Sequence, residues 1–69
     1  MYTTYFKYIR NGKMHTQIFD SCDFRQAVTK LADIAAGNNL FSENEYENWT
    51  ITTFYDGIAI FMLNDYMYS

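Results

Sequence analysis

The sequence predicts a single α+β domain in which four antiparallel strands and one helix follow in the order β-β-α-β-β. Two dipeptides, Asn11-Gly12 and Asp56-Gly57, each interrupt a run of β-branched and aromatic residues. Such dipeptides join neighbouring antiparallel strands, because both central residues of the tight turn need a positive φ. Segment 23–36, between the two hairpins, has apolar residues at helical spacing instead. One helix can cover one face of a four-stranded sheet, and 69 residues without proline or linker predict one domain, 1–69.

The first hairpin consists of predicted strands over 2–10 and 13–20. A two-residue turn at Asn11-Gly12 determines which residues lie opposite each other across the two strands. The expected pairs are Arg10 with Lys13, Ile9 with Met14, Tyr8 with His15 and Tyr5 with Ile18.

The helix is predicted from a stripe of apolar side chains at positions i, i+3, i+4, i+7 and i+11. Asp23 is the expected N-cap, with Gln26 as the reciprocal capping-box residue. The run Gly37-Asn38-Asn39 predicts a left-handed stop. The members of the stripe are Phe24, Ala27, Val28, Leu31 and Ala35.

Segment 38–48 is polar and acidic, and it predicts a loop or one helical turn in which Leu40 and Phe41 are the apolar anchors. Strand character returns over 49–55 and, after the second turn, from 58 to about 66. An uninterrupted two-residue hairpin would pair Tyr55 with Ile58, Thr53 with Ile60, Ile51 with Met62 and Trp49 with Asn64.

Both faces of the predicted sheet carry apolar side chains, whereas a solvated face normally alternates with polar residues. In the first hairpin Tyr5 and Ile18 share one face, while Phe6 and Phe19 share the other. Two interpretations follow for the face opposite the helix. In the first, the chain covers the face itself, because the sheet curls or because the acidic loop and the C-terminal tail fold across it. In the second, the face is an interface with another molecule, and a homodimer is the simplest form of such an interface.

Charge is unevenly distributed along the chain. Five basic residues and two acidic ones give the first thirty positions a net charge of +3, and the remaining 39 positions contain six acidic residues and no Lys or Arg, a net charge of −6. An anionic surface repels nucleic acid and attracts basic partners. We therefore expect a protein partner with a basic surface and no direct binding to nucleic acid.

The residue types needed for catalysis or cofactor binding are scarce. His15 and Cys22 are the single histidine and the single cysteine, and a nucleophile needs an adjacent base and an orienting group. The sequence has neither a glycine-rich phosphate loop nor the Cys and His spacing of a metal site. We therefore expect no enzyme activity, no catalytic residues, no cofactor and no metal. The start lacks the pattern of a secretory signal and no apolar run could cross a bilayer, so we expect a cytoplasmic protein without membrane contact.

In composition and in the order of its predicted elements the chain resembles small accessory proteins encoded by bacteriophages. The residues behind the resemblance are the Tyr-rich start Met1-Tyr-Thr-Thr-Tyr-Phe, the acidic stretch Ser42-Glu-Asn-Glu-Tyr-Glu-Asn and the end Asp65-Tyr-Met-Tyr-Ser69. Short acidic α+β proteins of that kind include anti-CRISPR and other anti-defence inhibitors. The resemblance implies a protein that binds host proteins, often at their nucleic-acid sites, within the host cytoplasm.

The leading hypothesis is therefore an acidic module that inhibits or modulates a partner protein stoichiometrically. The alternatives are a structural protein that assembles as a homo-oligomer, and a protein that sequesters a small ligand or nucleotide between protomers. The expected partner-binding residues combine acidic side chains with tyrosines near them. They are Glu43, Glu45, Tyr46, Glu47, Asp56, Asp65, Tyr66 and Tyr68.

Overall fold

The computed structural model describes residues 1–67 and confirms the predicted fold class. Its elements are β1 (Tyr2–Arg10), β2 (Lys13–Ser21), α1 (Phe24–Gly37), β3 (Glu47–Tyr55), β4 (Ile58–Asn64) and a 3₁₀ helix (Asp65–Met67). The strands form one antiparallel sheet in the order β2-β1-β3-β4, so the two hairpins meet where β1 pairs with β3. No helix in the described part of the chain has the length and apolar character needed to span a membrane.

The first hairpin has the predicted turn and the predicted register. Asn11 and Gly12 have φ values of 55° and 76°, the left-handed values that a type I′ turn requires. Nine consecutive residue pairs join β1 to β2 without interruption, and the four predicted pairs are among them.

The second hairpin has the predicted turn but a different register. Asp56 and Gly57 have φ values of 51° and 79°, and Tyr55 lies opposite Ile58 as expected. A β-bulge then places Ile60 as an extra residue in β4, so the three remaining predicted pairs are wrong. The observed pairs beyond the bulge are Thr53 with Phe61, Thr52 with Met62, Ile51 with Leu63 and Thr50 with Asn64.

The bulge changes which side chains of β4 face the helix. Leu63 lies beside Ile51 and packs against the core, whereas Met62 lies on the opposite face beside Thr52. The expectation that Ile51 and Met62 share a face is therefore wrong. β4 also ends earlier than predicted, because the 3₁₀ helix begins at Asp65.

The ends of α1 are the predicted ones. The Gln26 backbone N–H donates to Asp23 Oδ1 at 2.8 Å, which confirms Asp23 as the N-cap. The Gln26 side chain reaches back as a capping-box residue does, but its Oε1 accepts from the backbone N–H of Cys22 at 2.9 Å. The first contact satisfies one of the N–H groups that the first helical turn leaves free, the second satisfies the N–H just before the N-cap, and together they mark where α1 begins.

The C-terminal end of α1 is a Schellman motif. Asn39 has a left-handed φ of 54°, and its N–H donates to Ala36 O at 3.2 Å. The N–H of Leu40 donates to Ala35 O at 3.0 Å, and both of these residues are buried in the core. This motif turns the chain back over the sheet and directs the acidic segment that follows.

The core lies between α1, the segment after it and one face of the sheet. Within the helix, Ala27, Ile34 and Ala35 are buried, whereas Phe24 and Val28 are exposed. The predicted stripe was therefore partly wrong, because the helix turns Ile34 towards the sheet. The buried cluster consists of Phe6, Ile34, Ala35, Leu40, Trp49 and Ile51.

Candidate partner-binding surface

Three predicted acidic residues converge at one end of the sheet. Glu43, Glu47 and Asp65 line a single surface depression of about 520 Å³. It lies where β3 begins and β4 ends, and we call it the acidic depression. The other residues that line it are Leu40, Phe41, Ser42, Asn44, Tyr46 and Asn48.

Asn44 organises the loop that carries Glu43. Its side-chain amide donates to the backbone oxygens of Ser42, Asn39 and Leu40 at 3.0, 3.3 and 3.3 Å. Its Oδ1 accepts from the backbone N–H of Tyr46 at 2.8 Å. A short polar side chain that bonds to nearby backbone groups in this way replaces regular secondary structure. The loop that forms one side of the depression is therefore held in place by the hydrogen bonds of the Asn44 side chain.

A second irregularity positions Glu47. Between Lys7 and Ile9 the register of β1 with β3 shifts by one residue, and Asn48 has a left-handed φ of 50°. An extra residue with left-handed backbone is the geometry of a β-bulge, and asparagine tolerates this φ better than most residues. The sequence analysis did not predict these structural roles of Asn44 and Asn48. The frequent asparagines of segment 38–48 could have indicated side chains that bond to the backbone or adopt a left-handed φ.

Tyr46 is a predicted binding residue that the structure places within the fold. Its hydroxyl donates to Asn38 Oδ1 at 2.9 Å. Its ring lies 4.8 Å from the ring of Tyr8 and 5.8 Å from that of Phe6, measured between centroids. Because the ring and the hydroxyl both have partners inside the chain, Tyr46 fixes the loop against β1 and contributes one edge to the depression.

Glu45 points away from the acidic depression towards the first hairpin. Its Oε2 accepts from Arg10 Nη2 at 3.0 Å, and the side chains of Arg10 and Glu45 are 41% and 70% exposed. Arg10 also lies over the ring of Tyr46, with 5.5 Å between its Cζ and the ring centroid. The negative charge of Glu45 is therefore compensated locally, whereas no basic side chain of the described residues 1–67 forms an ion pair with Glu43 or Glu47.

The remaining predicted site residues do not meet at one place. Asp56 forms the turn at the far end of β3, roughly 30 Å from Glu47 at the usual rise of a strand. Tyr66 follows Asp65 in the 3₁₀ helix and is 84% exposed. Tyr68 lies outside the described residues.

Exposed apolar side chains accompany the carboxylates. Phe41 lines the depression, is about half exposed, and lies edge-on to the Trp49 ring with 6.4 Å between centroids. Met67 is exposed in the same short helix as Asp65. Aromatic and methionine side chains are enriched in the centres of protein interfaces. The surface thus combines negative charge with groups that lose water favourably on contact.

The two side chains weighed as a nucleophile and a base lie at opposite ends of β2. The imidazole of His15 stacks on the ring of Tyr8 near the first turn, at 5.1 Å between centroids. Cys22 is exposed just before the helix, after the last residue of the strand. Within residues 1–67, no three or more His, Cys, Asp or Glu side chains are close enough together to hold a metal ion.

The sheet face opposite the helix, which we call the open face, has a groove of about 550 Å³ along β1 and β3. Tyr5 and Phe54 meet edge-on in it, at 5.5 Å between ring centroids. Its other lining residues are Thr3, Lys7, Thr50, Thr52 and Gly57, so threonine hydroxyls separate the apolar groups. All of the lining residues named here are at least partly accessible to solvent.

No protein-family model, curated protein or solved structure matches this chain.

Proposed function

We propose that this chain is a non-catalytic module that binds another protein by placing the acidic depression against a basic surface. The observation that carries the proposal is the convergence of Glu43, Glu47 and Asp65 on one depression beside exposed Phe41. Among residues 1–67, no basic side chain lines this depression. A basic partner surface therefore compensates charges that the chain itself leaves uncompensated.

The two kinds of side chain have separate roles in this proposal. Complementary charge raises the rate of encounter and orients the partners. Apolar side chains that lose water at the centre of the contact supply most of the affinity. Phe41 is the candidate for that central contact, because it lies within the depression and about half of its surface is exposed.

The resemblance to small bacteriophage accessory proteins suggests which partner has such a surface. Proteins that bind nucleic acid present Lys and Arg side chains to phosphates, and a constellation of carboxylates can occupy the same place. We therefore propose that the partner is a host protein and that binding of this chain blocks its nucleic-acid site. Inhibition would then be stoichiometric, because one chain covers one site.

The test compares two isosteric double variants that change net charge equally. Glu43→Gln with Glu47→Gln neutralises the depression, and Asp33→Asn with Asp56→Asn neutralises two exposed carboxylates outside it. Asparagine also tolerates the left-handed φ of position 56. Tagged wild-type chain is used to capture partners from the native host, and the captured protein is identified by mass spectrometry and titrated calorimetrically.

We expect the first variant to lose the captured protein and the second to retain it. We also expect wild-type binding to weaken with added salt, because exposed charges are screened. Equal binding by wild type and both variants would refute the proposal. Loss of binding in the Asp33 and Asp56 variant alone would place the contact at the other end of the sheet. Circular dichroism of each variant establishes that the fold is intact.

A further inference from the structure

The two edges of the sheet differ in how well they are protected from pairing with another strand. An edge strand exposes unpaired backbone N–H and C=O groups, which proteins usually shield with bulges, charges or short length. β4 has seven residues and is interrupted by the bulge at Ile60. β2 has nine residues without a bulge or proline, and in the part of the chain that the structure describes it pairs with β1 alone. Its charged residues, Lys13 and Asp20, stand near its two ends.

The unpaired backbone groups of β2 can be assigned from the turn. Pairs in an antiparallel ladder alternate between hydrogen-bonded and non-hydrogen-bonded, and the pair that closes a type I′ turn, here Arg10 with Lys13, is hydrogen-bonded. Every second residue of β2, starting with Met14, therefore directs its N–H and C=O away from β1. These residues are Met14, Thr16, Ile18 and Asp20.

The side chains of this outward set are self-complementary. Met14 and Ile18 lie two positions either side of Thr16 and are 82% and 58% exposed. A two-fold axis at Thr16 would place Met14 of each copy opposite Ile18 of the other, and Thr16 opposite Thr16. Both apolar side chains would then be covered by the same contact that satisfies the backbone groups.

Charge favours the same arrangement. The two charged residues of β2 itself have opposite signs, with Lys13 at the turn end and Asp20 near the other end. Antiparallel pairing brings the basic end of one copy beside the acidic end of the other. The acidic depression is lined by residues of segment 40–48 and by Asp65 and contains no residue of β2, so its carboxylates are not part of the pairing edge.

We propose that two copies of this chain associate by antiparallel pairing of their β2 strands about a two-fold axis at Thr16, forming one continuous eight-stranded sheet. The contact is isologous, as is usual for homodimers. It is separate from the acidic depression, so it stands whether or not the proposed function is correct.

The test is the oligomeric state of the purified chain, measured by analytical ultracentrifugation at micromolar concentrations. We expect the wild type to have twice the mass of one chain. Thr16→Lys places two ammonium groups opposite each other at the axis, and we expect it to weaken association about tenfold or more, equivalent to about 1.4 kcal/mol. The matched control is Met62→Lys, on the same face of the other edge strand, which we expect to remain dimeric.

A cross-linking experiment provides an independent readout. In a Cys22→Ser background, Thr16→Cys should form a disulfide-linked dimer on mild oxidation, because the two Cα atoms of an opposed pair lie within disulfide range. Met62→Cys in the same background should not. A monomeric wild type would overturn the proposal, as would a dimer that Thr16→Lys leaves intact, or cross-linking through position 62 in place of position 16.

Discussion

Two buried hydroxyl groups join the central strands of the sheet, and removing them separately or together should have very different consequences. Thr4 and Thr53 lie opposite each other on β1 and β3, are fully buried, and share a hydrogen bond of 2.9 Å between their Oγ1 atoms. Thr4→Val retains the shape but leaves the hydroxyl of Thr53 buried without this partner. Such a loss costs about 1–3 kcal/mol, whereas replacing both partners by apolar groups can be nearly neutral.

We therefore expect Thr4→Val and Thr53→Val each to lower the free energy of unfolding by about 1–3 kcal/mol. The double variant should lie within about 1 kcal/mol of wild type and above both single variants, so the two single losses should not add. A chain of this length has about 3–10 kcal/mol of stability in total, so the single changes are large.

Urea denaturation followed by circular dichroism and by the fluorescence of Trp49 measures all four proteins under one condition. The slope of the unfolding free energy against urea should stay constant, since the exposed area is unchanged. If the double variant loses the sum of the two single losses, the hydroxyls do not satisfy each other and the reasoning is wrong.

Two further predictions concern single contacts. Asp23→Ala removes the N-cap of α1 and should cost about 1 kcal/mol, whereas Asp33→Ala, exposed within the helix, should cost little; equal losses in urea denaturation would contradict the capping role. Glu45→Ala removes an exposed ion pair with Arg10 and should cost at most about 1 kcal/mol, less at high salt. A larger, salt-independent loss would show that Glu45 supports the fold in another way.

The register of the first hairpin could be predicted and that of the second could not, for a physical reason. Asn11-Gly12 fixes the turn, and no bulge follows it along β1 and β2, so the register set at the turn continues to the ends of both strands. In β4, positions 59–63 are apolar throughout. A one-residue slip normally exchanges apolar and polar side chains between the faces. Here it exchanges one apolar side chain for another, so the sequence has no signal for the bulge at Ile60.

The same ambiguity affects the helix. Phe24, Val28 and Ile34 are all apolar and together span a broad arc, so periodicity predicts a helix without fixing its rotation. The packing of Leu40 after the Schellman motif, beside Ile34 in the core, decides which part of the arc is buried. Phe24 remains at the margin, where its ring contacts those of Tyr2 and Phe61.

The candidate site depended on the fold of the loop before β3, which the sequence does not reveal. The predicted second hairpin already sends Asp56 to one end of the sheet and Glu47 and Asp65 to the other. The position of Glu43 beside them follows from the loop that Asn44 organises, and no sequence pattern predicted that loop. The hydrogen bond from Tyr46 to Asn38 was likewise invisible, since it joins the loop to the helix end.

The strand order also separates the basic and acidic parts of the chain within the sheet, because β2 and β1 lie side by side and β3 and β4 lie side by side. All five basic residues lie on β1, β2 and α1, whereas β3, β4 and the segments around them carry acidic residues and none that are basic. The β2 edge and the acidic depression have no residue in common. If both contacts occur, a dimer would present two depressions and bind two partner molecules. The β2 edge would then join two copies of the chain, and the carboxylates of the acidic depression would bind the partner proteins.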